Sequence, residues 1–352
     1  MLEKIMVLCY YKSSEGKNMM DYLKNGNAQM NTYNIKTKTD KNQIKTDKPQ
    51  VQNSDKQLFL LIDGNSLINR AFYAVPPLTG PDGTPTNAIY GFVNMLIKGI
   101  SDFAPTHIAV AFDLKGPTFR HLLSPDYKAT RKGMPDELAA QLPLLKQILT
   151  EMGIKIVQKQ GLEADDLIGS LAQNPIKTVI VTGDKDAFSL IDECTKVAYT
   201  KQGITNIALY DTDLFVAEYG FLPKNLPDFK AIAGDKSDNI LGVDGIGEKG
   251  ASDLIKQFGS VENVYLNLDL IKPTVAKRLK DGRESAFLSK RLATIDKNVA
   301  LDLGVEDCGF CMPFKRVVRD RFESLKFSLV KRSELFEGDD EGGKRNVQLS
   351  FF

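Results

Sequence analysis

Three short apolar runs restrict what this chain can fold into: LFLLI at 58–62, IAVAF at 108–112 and TVIVT at 178–182. Each ends within two residues of an aspartate, Asp63, Asp113 and Asp184. Runs of this length, rich in β-branched and large apolar residues, fit strands buried on both faces. KIVQ at 155–158 and the segment 196–199 are further strand candidates. Helical apolar spacing lies between them at 66–73, 88–103, 138–152 and 163–173, with Pro143 a kink or a late start in the third. Strands alternating with helices predict an α/β domain: a mostly parallel sheet with helices on both faces. Ligands bind such sheets outside the carboxyl ends of the strands, so the three aspartates arrive at one edge.

The stretch Gly161 to Asp186 adds to that edge. Glu163, Asp165 and Asp166 open the 163–173 helix, and Asp184 and Asp186 follow the TVIVT strand. Acids in a first helical turn are ordinary capping chemistry, and each acid alone can be a turn residue. Capping does not account for five carboxylates at two element ends that a strand-helix unit brings together. As a converging set they would repel one another without cations. Hard divalent ions with oxygen ligands remove that repulsion, and Mg²⁺ suits such a set. Two ions about 4 Å apart can clamp an in-line displacement at phosphorus.

From about 223 onward the pattern changes to helices and glycine-rich turns, with helices expected at 226–233, 250–258, 273–293 and 315–330. A second acidic cluster, Gly234-Asp235-Lys236-Ser237-Asp238-Asn239, reads either as a polar turn or as further metal ligands. Between Asp113 and the next helix lie Lys115, Arg120, Lys128, Arg131 and Lys132, interleaved with Phe119 and Tyr127. Basic and aromatic residues together suit phosphate contact and base stacking, although a solvated loop has the same composition. Gly242 to Lys249 reads GVDGIGEK before a helix; it is a plain turn or a loop whose amides approach a phosphate at a helix N-terminus.

Composition excludes several classes. Only two histidines occur, so histidine-based nucleophilic catalysis and His-rich metal sites are disfavoured. Four cysteines in 352 residues are too few for a disulfide framework, and the Cys308/Cys311 pair has no second pair to complete a zinc site. No GxxxxGK[ST] loop is present. The net charge of +1 names no partner, but residues 1–57 hold ten Lys against six acids, so that segment carries +4 and the rest −3. Its polar composition predicts a disordered tail. IMVLCYY at 5–11 is too short to span a bilayer, and a cytoplasmic protein with no membrane partner is expected.

Eight motifs in order resemble the bacterial 5′→3′ exonuclease and flap endonuclease family, as in the 5′ nuclease domain of DNA polymerase I. They are Asp63-Gly64-Asn65, Ala111-Phe112-Asp113, Phe119-Arg120, Tyr127-Lys128-Ala129-Thr130-Arg131, Glu163-Ala164-Asp165-Asp166, Gly183-Asp184-Lys185-Asp186, the 234–239 cluster and Gly245-Ile246-Gly247-Glu248-Lys249. The resemblance covers 58–336. It implies a PIN-like catalytic domain over 58–220 with a helical arch near 115–135, and a helix-three-turn-helix domain over 221–336. It implies that Asp63, Asp113, Glu163, Asp165 and Asp184 serve one metal, and Asp166, Asp186, Asp235 and Asp238 a second. Mg²⁺ is the expected ion, with Mn²⁺ a substitute. Lys128 would contact the scissile phosphate, with Arg120 also at the catalytic centre. Arg70, Tyr127, Arg131, Lys132, Gly245, Gly247 and Lys249 would bind DNA, with K⁺ on hairpin carbonyls.

The implied activity is hydrolysis of DNA, and of RNA primers, at 5′ flaps or nicks during replication and repair. A monomer is expected, and a non-catalytic junction binder or clamp adaptor is the alternative. Residues 337–352 read as a linker and a terminal peptide; Gln348, Leu349, Phe351 and Phe352 resemble a sliding-clamp-binding motif. With nothing after 336 that could hold a polymerase, a stand-alone nuclease is expected.

Overall fold

The computed structural model describes residues 57–202 and 206–338. Residues 1–56 of the expected tail and the Gln348 to Phe352 peptide lie outside them. Six strands form one sheet: β1 (Leu58–Asp63), β2 (His107–Ala111), β3 (Lys155–Val157), β4 (Lys177–Thr182), β5 (Thr195–Gln202) and β6 (Asn206–Tyr210). Their order is β3-β2-β1-β4-β5-β6. All neighbouring pairs are parallel except β5 with β6. The mostly parallel sheet is as expected. The antiparallel edge strand β6 is an addition that the sequence does not announce. Only Tyr210 of its five residues is buried, so no apolar run marks it.

Helices α1 (Gly64–Ala74) and α2 (Asn87–Phe103) follow β1. Asp63 ends the strand and caps α1, its Oδ1 accepting from Ser66 N at 2.9 Å. A five-residue helix, α3 (Phe119–Leu123), follows β2. The expected helix at 138–152 is two pieces, α4 (Asp136–Ala139) and α5 (Leu142–Glu151). The break falls at Gln141, which is fully buried. Its Oε1 accepts from Ala88 N at 2.9 Å and Ile89 N at 3.3 Å, satisfying amides at the start of α2. Pro143 sits in the first turn of α5, where a missing N–H costs no hydrogen bond. α6 (Ala164–Leu171) follows β3, and α7 (Thr212–Tyr219) follows β6.

Successive residues of β1 point to opposite faces, and each face has its own core. Phe59 and Leu61 join Ile180 and Val197 beneath α6 and the helices that follow residue 221. These are α8 (Leu226–Ala233), α9 (Glu248–Phe258), α10 (Val261–Leu266), α11 (Pro273–Asp281) and α12 (Arg283–Ala293). The expected single helix at 273–293 breaks at Gly282, where a Cβ would come within 3.0 Å of Val243. Leu60 and Ile62 join Val110 and Val181 beneath α1, α2 and α5.

One expected boundary is corrected. Residues 309–336 do not belong to the helical domain; they return to the sheet. The backbone N of Phe310 donates to Thr106 O at 2.8 Å. Phe314, Phe327 and Phe336, together with Val318 and Phe322 of α13 (Arg316–Ser324), are buried in the core of α2 and α5. Arg321 pairs with Glu151 at 2.7 Å. The α2/α5 face is apolar and needs this cover, which an uninterrupted helical pattern downstream does not reveal.

Phe322 is fully buried in that second core. Phe322→Ala is expected to lower the unfolding free energy in urea titration by about 3–5 kcal/mol. A change near zero would place α13 outside the sheet's core.

Candidate metal centre and nucleic-acid interface

The strand ends deliver their acids as expected. Asp63, Asp113 and Asp184 line one cleft of about 920 Å³ together with Glu163 and Asp165 from the start of α6. Asp63 lies deepest, 5 % exposed, its Oδ2 accepting from Thr182 Oγ1 at 2.6 Å. Burial pushes its carboxyl up to about 7 against these hydrogen bonds, and the charges of Asp184 and Asp113 push the same way. Burial, followed by the charges of Asp184 and Asp63, holds Asp165 well above the usual carboxylate range.

Local hydrogen bonds fix each acid. Asp113 N donates to Asn65 Oδ1 at 3.0 Å, and Asp113 Oδ1 accepts from Ala164 N at 2.7 Å. Asp184 Oδ1 accepts from Asp186 N at 2.9 Å, while Asp184 N donates to Thr182 Oγ1 at 2.9 Å.

Cations line the same cleft: Arg70, Lys128, Arg131 and Lys132. Lys128 Nζ donates to Glu163 Oε2 at 2.8 Å and lies 3.9 Å from Asp238 Oδ2. Burial would lower the Lys128 pKa, but Glu163 and Asp238 hold it above its ordinary value, so the ammonium keeps its charge. Arg131 pairs with Asp238. The Nε of Arg70 is buried without a hydrogen-bond partner among the described residues.

The second expected set is divided. Asp186 and Asp235 do not line the cleft and share the ammonium of Lys230, on the last turn of α8. Burial raises Asp186 to about 6, only partly offset by Lys230, because Asp184 and Asp238 add their repulsion. Asp235 feels the same ammonium and also accepts from Ser237 N and Oγ; these outweigh its burial and bring it down to about 2. The two carboxylates differ because Asp186 lies deeper in the protein and is crowded by other acids, whereas Asp235 gains the Ser237 hydrogen bonds.

Three expected site residues are engaged by other protein groups. Asp166 is fully buried and turned from the cleft, accepting both Arg120 guanidinium N–H groups at 2.8 Å, as well as Asp296 N and Glu163 N. It is not a free metal ligand. Arg120 is 2 % exposed; its remaining donors go to Leu292 O at 2.9 Å and Thr294 O at 2.8 Å. It ties α3 to α6 and to the end of α12, and its Nη1 also lies 3.4 Å from Glu163 Oε2, so its guanidinium is engaged by protein groups on every nitrogen. Tyr127 is 3 % exposed, packed with Ile240, Leu292 and Ala293. Its hydroxyl donates to Glu163 Oε2 and Asp238 Oδ2, so no face is open for base stacking.

The expected arch differs for the same reason. Beyond α3 the basic segment is a series of turns tied to the acidic loop. Lys128 N donates to Asp238 O at 2.9 Å, and Asn239 Nδ2 donates to Asp126 O at 2.7 Å.

The glycine hairpin keeps its exposed edge. Gly245, Gly247 and Lys249 are exposed, and Gly247 caps α9. Gly245 has φ +74°, a conformation that favours glycine. Its carbonyl accepts from Arg278 at 2.6 Å. Sequence reading missed Arg278, Lys230 and Tyr73, the last 74 % exposed on the cleft wall. For Lys230 a signal existed: a lysine in the last turn of a helix that runs straight into an acidic loop.

The donors suit a hard divalent cation. They are all carboxylate oxygens, several are driven towards protonation by burial and, after it, by mutual repulsion, and a dication would remove that cost. Among the described residues no three acidic, His or Cys side chains converge on one point as they stand; lysine and arginine groups hold several of the oxygens. Cys308 is buried with its thiol donating to Gly304 O, while Cys311 is exposed.

A family model described as the N-terminal resolvase-like domain of 5′-3′ exonucleases matches residues 58–220, and one described as their C-terminal SAM fold matches 221–315. DNA polymerase I of Caldicellulosiruptor bescii is 42 % identical over 285 residues, covering 79 % of this chain and 34 % of that protein. DNA polymerase I of Bacillus subtilis is 39 % identical over 257 residues, covering 72 % and 29 %. The chain thus spans about a third of the length of these relatives. In fold, T5 5′-exonuclease with bound zinc superposes with TM-score 0.57 at 19 % identity, covering 78 % of this chain and 96 % of that one. The catalytic core of Rad2 in complex with DNA substrate gives 0.51 at 18 %, covering 80 % and 92 %.

If Arg120 and Asp166 form a buried strap, Arg120→Ala or Asp166→Ala leaves a buried charge unpaired. Either is expected to cost about 3–5 kcal/mol in denaturant unfolding, and Arg120→Met with Asp166→Leu to recover most of it. An Arg120→Ala protein as stable as wild type but weak on DNA would return Arg120 to strand contact.

Proposed function

The chain belongs to the 5′-3′ exonuclease family, and we propose that it is a divalent-metal-dependent, structure-specific 5′ nuclease that hydrolyses DNA next to a single-strand/duplex junction. The observation that carries this reading is the meeting of five carboxylates from separate strand and helix ends with Arg70, Lys128, Arg131 and Lys132 in one cleft. DNA as substrate is supported by the fold shared with the DNA-bound Rad2 core.

Asp63, Asp113, Glu163, Asp165 and Asp184 would hold the first ion, and Asp186, Asp235 and Asp238 would serve a second. When bound, such ions activate water and offset charge on the scissile phosphate. Mg²⁺ suits these ligands, with Mn²⁺ as a substitute. The chain's own residues do the rest. Lys128 keeps its charge at the carboxylate edge and would donate to a non-bridging phosphate oxygen. Arg131, Lys132 and Arg70 would draw the 5′ strand into the cleft. The amides before α9, with Lys249, would hold duplex phosphate independently of sequence. A K⁺ at the hairpin would share the Gly245 carbonyl with Arg278.

Flaps, nicks and RNA primers met in replication and repair are the proposed substrates, acted on by a cytoplasmic monomer. The sliding-clamp contact through Gln348, Leu349, Phe351 and Phe352 is also proposed, from sequence alone. The competing reading is a junction binder without catalysis; the intact set of carboxylates in the cleft disfavours it.

Cleavage of a 5′-flap duplex in Mg²⁺ tests the reading. Wild type is expected to cut near the junction, EDTA to abolish cutting, and Asp184→Ala to lower the rate by about 10²–10³-fold or more. A wild type that binds the flap yet never cuts it with Mg²⁺ or Mn²⁺ would leave the junction-binding reading.

Deleting residues 348–352 is expected to abolish pull-down by the sliding clamp and leave cleavage of free DNA unchanged. Undiminished pull-down would sink the clamp assignment.

A further inference from the structure

Lys230 occupies a position that no reading of the carboxylates as metal ligands anticipates. It enters from α8, a helix of the second domain, and its ammonium lies between Asp186, which follows β4, and Asp235, in the loop after α8. Its side chain is 12 % exposed, and those of Asp186 and Asp235 are 18 % and 16 % exposed. A half-hidden lysine held by two carboxylates from different elements is more than a surface ion pair, since neither acid has another cation beside it among the salt bridges described.

We propose that Lys230 is the built-in counter-ion of the second carboxylate group, and that a divalent ion reaches Asp186 and Asp235 only by displacing it. The inference rests on the metal-dependent nuclease reading and adds to it the residue that sets the second ion's affinity. An ammonium on one oxygen of each carboxylate and a dication on the same two acids would be like charges a few ångströms apart in poorly solvated space, so binding of one drives out the other. Lysine suits the exchange. Its four-carbon stem is flexible and its three donors are not locked into a planar fork, so it can withdraw where an arginine pair would resist. With Lys230 in place the two acids share one positive charge, which offsets part of their repulsion while the second position is empty. Tight binding there must overcome an ion pair that the first set, lining the open cleft, meets at Glu163 alone among the described residues, through Lys128 and Arg120.

Two measurements on the full chain test this. In the first, free Mn²⁺ is followed by electron paramagnetic resonance during titration of wild type and Lys230→Met. Wild type is expected to show a tight and a weak class of bound ion. In Lys230→Met the weak class should tighten by about tenfold or more, with the tight class unchanged within about twofold. The second uses wild type alone and so survives any folding defect of the variant. Lysine acetylation mapped by mass spectrometry should find Lys230 protected without divalent ions and reactive at saturating Mn²⁺. Two bound ions with no tightening in Lys230→Met, or Lys230 reactivity indifferent to Mn²⁺, overturns the counter-ion role while leaving the nuclease reading intact. A wild type that binds no Mn²⁺ overturns both.

Discussion

Carboxylates gathered at one edge of a buried sheet repel one another across a few ångströms of poorly solvated space, where Coulomb energies are several times larger than in water. The parallel topology creates this condition, because β1, β2 and β4 all point their carboxyl ends the same way. Each acid is stabilised by a different device. Asp63 takes a helix N-cap and the Thr182 hydroxyl; Asp113 takes the amide that opens α6; Glu163 takes Lys128; Asp186 and Asp235 take Lys230. None of these is complete. The carboxyls of Asp63 and Asp165 remain raised, so the edge keeps an unmet demand for positive charge.

The same demand explains what the sequence made legible. Strand ends marked by aspartate are visible because buried strands are uniform apolar runs and the acid that breaks each run stands out. Asp165 and Asp166 show where that legibility stops. Neighbours on a helix lie about 100° apart, so one can face the cleft while the other faces the core. Sequence puts them side by side; only packing tells which is which, and the partner that claims Asp166, Arg120, lies 46 residues away. Tyr127 was misread for a related reason. An aromatic among basic residues suits stacking, but its hydroxyl is drawn to the carboxylates of Glu163 and Asp238.

Other features were hidden because their cause is distant in sequence. The break at Gln141 exists for the sake of amides 53 and 52 residues earlier. Lys230 meets one partner five residues away and another 44 residues away. Periodicity cannot register such pairings. It did register α8 and α9 and the helical character of 273–293, but neither α10 nor the break at Gly282.

The return of residues 309–336 to the α2/α5 face bears on the order in which the chain can fold. The face of the sheet that carries Leu60 and Ile62 is assembled partly from side chains more than 250 residues downstream, Phe322 and Phe336 among them. Contacts of such separation are the slowest to form, because a long loop must close before they yield any stabilisation. During synthesis the first half of the molecule would therefore emerge with an apolar surface that, among the described residues, the 309–336 segment covers. An uncovered surface of that kind is prone to association. Completion of the nuclease domain is thereby tied to prior synthesis of the helical domain, so the two mature together.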